Sequence, residues 1–260
     1  MSADPTPRSR GEGLLVVLTC GDGARRRWED GLATAAAKET ARVVGVPARP
    51  GKPDVDPVLD MATLDRAGQG GRLVVVGTDA DLAAVLVRLL RTERLEVPVA
   101  FVPLGPSVAA TVWGLPPDGA AALDVARRGL ARPAPLVRDD RGGVVAGEHV
   151  VGPFDGVVYC DEHEVLRGDA AGLVVRPDPA GRPIEIGGVD VGGVAVAVTG
   201  ARRFAGLRRG VEHRGRGRAA TLGCRPAALR RDGVDDDRPL ERRSWYRHTV
   251  DWTLVRPAET

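Results

Sequence analysis

Leu73-Val-Val-Val-Gly-Thr-Asp-Ala-Asp-Leu82 is the stretch that decides the fold. Leu73–Val76 is short, continuous and β-branched, the pattern of a strand buried on both faces. Gly77 opens a turn, after which Leu82, Val85, Leu86, Leu89 and Leu90 recur at helical spacing and make one apolar face. Strand, tight turn and helix in that order build a parallel sheet with helices on its faces. The same grammar surrounds the stretch. Leu14–Leu18 predicts a second buried strand, Cys20–Ala24 a turn, Trp28–Val44 a helix on alanine-rich propensity, and Pro47–Pro57 a proline-rich connection. Val97–Val102 predicts a further strand, stopped by Pro103. Helices are expected over Ser107–Trp113 and Asp118–Leu130, the second with Asp118 as its N-cap.

From about Ala131 the helical period stops. Short valine-rich runs alternate with Gly, Pro and Asp turns: Gly143–Ala146, Gly156–Cys160, Leu173–Val175, Ile184–Ile186, Val194–Thr199 and Val250–Val255. Such spacing predicts an antiparallel β domain. The expected organisation is a disordered N-terminus over 1–13, an α/β domain over 14–132 and a β-rich, sandwich-like domain over 133–260, with the boundary between Gly129 and Val137.

Composition narrows the function classes. The chain has 260 residues, 43% apolar and 28% charged, enough to bury a core. No apolar run approaches the ~20 residues of a membrane span, and the polar opening Met1–Gly13 predicts no secretory leader. Cys20, Cys160 and Cys224 are odd in number and far apart, so a disulfide framework is not expected and a reducing cytoplasm is the default. The 37 basic residues are almost all arginine, Lys38 and Lys52 being the only lysines. Asparagine is absent and Gln69 is the only glutamine, a bias that a GC-rich genome accounts for. With 35 acidic residues the net charge is only +2, so charge alone assigns no nucleic-acid partner.

The chemistry is expected at two strand–turn–helix corners, Gly77–Asp81 and Val102-Pro-Leu-Gly-Pro-Ser107. Helix N-termini present unpaired N–H groups and partial positive charge, which suit a phosphate. Two such corners facing one crevice mark the ligand position of an open α/β sheet.

Their order and spacing resemble the diacylglycerol kinase catalytic-domain family, which includes sphingosine and bacterial lipid kinases and is similar in fold to NAD kinase. That family carries a strand ending in Gly-Gly-Asp-Gly-Thr, a helix, a strand ending in Pro-Leu-Gly-Thr-Gly-Asn-Asp and a β-rich second domain. Here Gly77-Thr-Asp-Ala-Asp81 stands in the first motif and Pro103-Leu-Gly-Pro-Ser-Val-Ala109 in the second. Trp113-Gly-Leu-Pro116 resembles the following Leu-Gly-Leu-Pro. Asp124–Arg132 resembles the exit into the β domain, and Arg231-Asp-Gly-Val234 resembles the family's Asp-Gly-Glu, whose acid is implicated in activating the acceptor hydroxyl. The likeness is strongest over about residues 72–133. It implies a kinase-like α/β domain followed by a β-sandwich-like domain with a cleft between them. It also implies ATP with Mg²⁺ as cofactors, Gly77, Thr78, Asp79, Gly105 and Ser107 around the nucleotide, and Asp79 and Asp81 on the metal. Asp232 or Asp235 would act on a lipid hydroxyl, with transient contact at the inner face of the membrane.

The departures point the other way. Two motif glycines have become Thr78 and Ala80, whose Cβ atoms restrict close approach to a phosphate. The motif's last position, a threonine in the family, is Asp81, a negative charge beside the expected phosphates. Pro106 lacks an N–H donor, Val108 and Ala109 replace polar groups, and Val234 stands in place of the glutamate, with Asp235–Asp237 behind it. Phosphoryl transfer needs positioned donors that neutralise developing charge. A diverged lipid-kinase-like protein with reduced or lost phosphotransfer and a retained binding or regulatory role is therefore the leading expectation. The alternatives are an active ATP-dependent lipid kinase, and a module binding an anionic surface or, less expected, nucleic acid through Arg202–Arg218.

Each residue also has a plainer reading. Asp79 is expected to cap the Asp81–Leu90 helix, Asp81 to be a favourable charge in its first turn, and Arg-Asp-Gly at 231–233 to form a hairpin turn. Asp235–Asp237 and Arg202–Arg218 read as solvated loops. Cys160-Asp-Glu-His163 lacks a second pair at zinc-site spacing. His149, His213 and His248 are expected in surface or hydrogen-bonded structural roles, and Trp245, Tyr246 and Trp252 as anchors of the β domain.

Overall fold

A computed structural model describes residues 14–32, 41–63, 71–180, 192–204 and 207–258, with only the backbone described over 201–204 and 207–212. The expected N-terminus 1–13 and the Ile184–Ile186 run lie outside the described residues. The first half builds a six-stranded sheet from β1 (Leu15–Cys20), β2 (Ala41–Val46), β3 (Arg72–Gly77), β4 (Val99–Pro103), β5 (Leu130–Ala134) and β17 (Trp252–Arg256), in the order β2-β1-β3-β4-β17-β5. All neighbours are parallel except β5, which runs antiparallel to β17.

The continuous apolar runs are explained by two cores, one on each face of this sheet. Val16, Leu18, Leu73, Val75 and Phe101 pack against Leu82, Val85, Leu86 and Leu89, and against Val55, Val58 and Leu59. Val17, Val74, Val76 and Val102 pack on the opposite side with Ala24, Trp28, Ala122, Leu123 and Ala126. The helices that cover these faces are α1 (Gly21–Arg27), α2 (Lys52–Thr63), α3 (Asp79–Arg91), α4 (Val108–Trp113) and α5 (Gly119–Arg128). Ser107 and Asp118 cap α4 and α5 by accepting from Ala110 N and Ala121 N.

Two helical boundaries differ from expectation. The helix after β1 begins at Gly21, where a turn was expected, and passes at Trp28 into a π-helical stretch to Leu32, while Ala41–Val46 is a strand pairing β1. The β-branched Val43 and Val44 suit that strand better than a helix end. The proline-rich segment holds α2. Pro53 occupies its first turn, where a missing N–H leaves no helical bond unmade, and Pro57 lies one turn further in.

The second half is one antiparallel sheet of eleven strands that curls over a valine-rich core. Its long members are β9 (Phe154–Cys160), β10 (His163–Pro177), β11 (Val194–Phe204), β12 (Leu207–Gly217), β13 (Ala219–Ala227) and β16 (Leu240–Arg247). The short ones are β6 (Val137–Asp139), β7 (Val144–Val145), β8 (His149–Val151), β14 (Leu229–Arg231) and β15 (Val234–Asp235). Arg202–Arg218, expected as a loop, is the hairpin of β11 and β12. Trp252–Arg256, grouped by sequence with the β domain, returns instead to the first sheet. There Trp252 meets the Trp113 ring edge-on at 5.5 Å, whereas Trp245 anchors the β core. No described helix is long and apolar enough to cross a membrane.

Candidate functional site

The two corners do meet. The turns after β3 and β4 and the β14–β15 hairpin enclose a cleft of about 510 Å³, lined by Gly77, Thr78, Asp79, Gly105, Ser107, Asp232 and others. Six of the eight expected site residues therefore face one space or its rim. The other two, Asp81 and Asp235, are not among the lining residues.

Asp79 reaches across the cleft floor rather than capping its own helix. Its Oδ1 accepts from Ser107 Oγ at 2.5 Å, and its Oδ2 accepts from Val108 N at 2.9 Å and Ala109 N at 3.0 Å. The N-terminus of α4 is thus filled by a carboxylate of the preceding strand–helix unit. The N-cap of α3 is Thr78, in a capping box with Asp81. Asp81 Oδ2 accepts from Thr78 N at 2.7 Å and Thr78 Oγ1 at 2.8 Å, and Oδ1 accepts from Arg49 N at 2.6 Å. Asp81 is 2% exposed. Burial, assisted by the Asp81 charge, pushes the Cys20 thiol well above its ordinary range. The three cysteines are free.

Asp232 sits in the expected Asp-Gly hairpin turn, with φ +47° at Asp232 and +86° at Gly233, the two left-handed positions such a turn requires. Its side chain is nevertheless buried. Oδ1 accepts from Gly147 N at 2.7 Å and Glu148 N at 3.0 Å, and Oδ2 from Ala146 N at 3.2 Å. Burial raises its pKa to about 7 against the pull of those three N–H groups, and the nearby Asp79 charge raises it further. Gly147 is wedged between the two carboxylates: a Cβ there would meet Ala109 N at 2.7 Å and Asp79 Oδ2 at 3.0 Å.

His149 is the residue that sequence reasoning placed too generally. It is fully buried, its Nδ1 accepts from Trp245 Nε1 at 2.9 Å, and its Nε2 lies 3.7 Å from Asp232 Oδ2. Burial lowers its pKa to about 3, outweighing the opposing pull of Asp139, so the ring is neutral at pH 7. Its position in a Val-Val strand, beside Glu148, was the available signal. Glu148 and Arg230 also line the cleft, and each is paired elsewhere: Glu148 with Arg176 at 2.6 Å, Arg230 with Asp235 at 2.7 Å. Asp235 is exposed in that pair. Among the described residues no group of three or more His, Cys, Asp or Glu is arranged to hold a metal ion.

No protein-family model and no curated protein matches the sequence. Solved structures do match the fold. A diacylglycerol kinase from Bacillus anthracis str. Sterne superposes with TM-score 0.62 at 10% identity, over 94% of this chain and 96% of that one. An NAD kinase from Archaeoglobus fulgidus in complex with ATP superposes with TM-score 0.52 at 14% identity, over 94% and 93%. At these identities the likeness is one of architecture, and the parallel sheet, the two corners and the curled β domain give this chain the fold shared by diacylglycerol kinases and NAD kinases.

Proposed function

We propose that this chain is a diverged kinase-fold protein that has lost phosphotransfer and uses its cleft for binding. One observation carries this reading: a carboxylate of the chain stands at each of the two helix starts beside the cleft. Asp81 takes the N–H and hydroxyl of Thr78 at α3, and Asp79 takes the N–H groups of Val108 and Ala109 at α4. The first N–H groups of α4, which would hold an incoming phosphate, are already taken by Asp79, and the carboxylate charges at both helix starts repel it. The two acids that the family resemblance assigns to magnesium accept six hydrogen bonds between them and face different partners, a poor match to a shared ion that needs open oxygen ligands. Arg230, the one lining cation among the described residues, is held by Asp235. The remaining wall is apolar through Pro103, Leu104, Pro106, Val108 and Val234, which suits a lipid-like ligand without a phosphate anchor.

A second reading rests on Asp232, whose pKa of about 7 in the same cleft suits a group that takes a proton from a hydroxyl. Incubating the whole chain with Mg·ATP and diacylglycerol-containing vesicles separates the two. The first reading predicts no phosphatidic acid above background. Product formation that falls in Asp232→Asn but survives Asp235→Ala would overturn it in favour of the active kinase.

A further inference from the structure

We infer that the depression between the β6–β7 turn and the β15–β16 loop binds a soluble phosphorylated polyol, the chemistry of a sugar phosphate. The depression measures about 830 Å³, a volume in the range of small-molecule sites. It shares no lining residue with the cleft, so the inference is independent of what the cleft binds.

Its charge favours an anion. Arg141, Arg231, Arg238, Arg242 and Arg243 line it, against Asp236, Asp237 and Glu241. Five cations and three anions leave +2, as much as the formal net charge of the whole chain. Arg141, Arg238 and Arg242 are exposed, and among the described residues no acidic side chain pairs with them.

The basic groups are held in place from behind. Asp139 is 1% exposed, and its Oδ1 accepts from Arg141 N at 2.9 Å and Gly143 N at 2.8 Å. Its Oδ2 accepts from Arg243 Nη1 at 2.8 Å. One buried carboxylate thus fixes both the turn that carries Arg141 and the guanidinium of Arg243. Asp236 accepts from Arg231 Nε at 2.6 Å and lies 4.0 Å from Arg243 Nη2, which ties these two arginines together. Such preorganisation lowers the cost of binding. Arg243 is 8% exposed, yet its Nε has no hydrogen-bond partner, with Asp140 Oδ1 at 3.6 Å. A buried donor without an acceptor, on a residue that lines the depression, is one that a ligand oxygen would satisfy.

The walls select the ligand class. Guanidinium groups offer paired N–H donors that match a phosphate. Asp237 and Glu241 are exposed acceptors that a phosphate does not use and that polyol hydroxyls do. Among the described residues Pro239 and Leu240 are the only apolar liners, Leu240 is buried, and no aromatic ring is present. A nucleobase has nothing to stack on there, and an acyl chain has no apolar wall to lie against.

The test is calorimetric titration of the full chain with glucose 6-phosphate, beside glucose and inorganic phosphate. Saturable binding is expected for glucose 6-phosphate, weaker binding for phosphate and none for glucose. Replacing Arg238 and Arg242 together with Gln is expected to weaken it by about tenfold or more. Asp237→Asn with Glu241→Gln is expected to weaken glucose 6-phosphate while leaving phosphate binding as strong or stronger. If a variant misfolds, amide hydrogen exchange of the unaltered chain decides: slowed exchange over residues 236–243 with glucose 6-phosphate supports the inference, and unchanged exchange there overturns it. No binding at millimolar glucose 6-phosphate, full binding in the Arg238 and Arg242 variant, or tighter binding to ATP or to vesicles with phosphorylated inositol headgroups also overturns it.

Discussion

The carboxylate of Asp81 lies directly over Gly77, so a Cβ on Gly77 would come within 2.6 Å of Asp81 Oδ2 and 2.9 Å of Asp81 Cβ. The glycine is therefore required by the chain's own aspartate, whatever the cleft binds. Gly77→Ala is expected to destabilise the protein by about 1–3 kcal/mol through this overlap and the strained capping box. Gly105, the corresponding turn residue of the second corner, has no heavy atom within 4 Å of its Cβ position. Gly105→Ala is expected to stay within about 0.5 kcal/mol of the parent. Urea midpoints of the two variants check the contrast, and equal losses would contradict it.

Asp79 ties the two corners together. Asp79→Ala leaves Val108 N, Ala109 N and Ser107 Oγ without this acceptor and is expected to lose about 2–3 kcal/mol. Asp79→Asn keeps one acceptor oxygen and is expected to lose less. Urea denaturation again gives the answer, and a stability unchanged in Asp79→Ala would mean that the carboxylate is not a structural cap.

Asp232 and His149 pull the pH dependence in opposite directions. Asp232 is raised from 3.8 to about 7, so the folded state holds the extra proton and stability falls as pH rises from about 4 to 7. His149 is lowered from 6.5 to about 3, so the unfolded state holds the extra proton and stability rises with pH from about 3 to 6.5. The two slopes oppose each other between about pH 4 and 6.5, where the protein is expected to be nearly insensitive to these groups. Asp232→Asn removes one of them, and stability is then expected to climb with pH by up to about 1.4 kcal/mol per unit over that window. Denaturation midpoints at a series of pH values measure this, and a variant as flat as the parent would contradict the assignment.

Trp252 joins the last strand to the first sheet. It is 1% exposed and meets Trp113 edge-on. Trp252→Ala is expected to lose about 3–5 kcal/mol, and signals from α4 and the parallel sheet should melt together with it. Loss confined to the β domain would contradict the placement of β17 between β4 and β5.

Much of the fold was legible because its signals are local. The run Leu73–Val76, the spacing from Leu82 to Leu89, the cap Asp118 and the Asp-Gly turn at 232–233 are each read within a few residues. The site was legible as a place, since both corners and Asp232 meet in one cleft. What the acids do there was not, because Asp81 finds Arg49 N and Asp79 finds the start of α4 only through tertiary structure. The β12 strand was hidden by its arginines and glycines, whose strand character comes from pairing with β11 rather than from propensity. Trp252 read as a β-domain anchor because nothing local tells a last strand which sheet it will join.

Titrating the whole chain with Mg·ATP by calorimetry tests the central claim most directly. With Asp79 holding the first N–H groups of α4 and Asp81 adding a second negative charge in the first turn of α3, no saturable binding is expected below millimolar nucleotide. Saturable micromolar binding that weakens in Asp79→Ala would contradict the account and return the cleft to nucleotide chemistry.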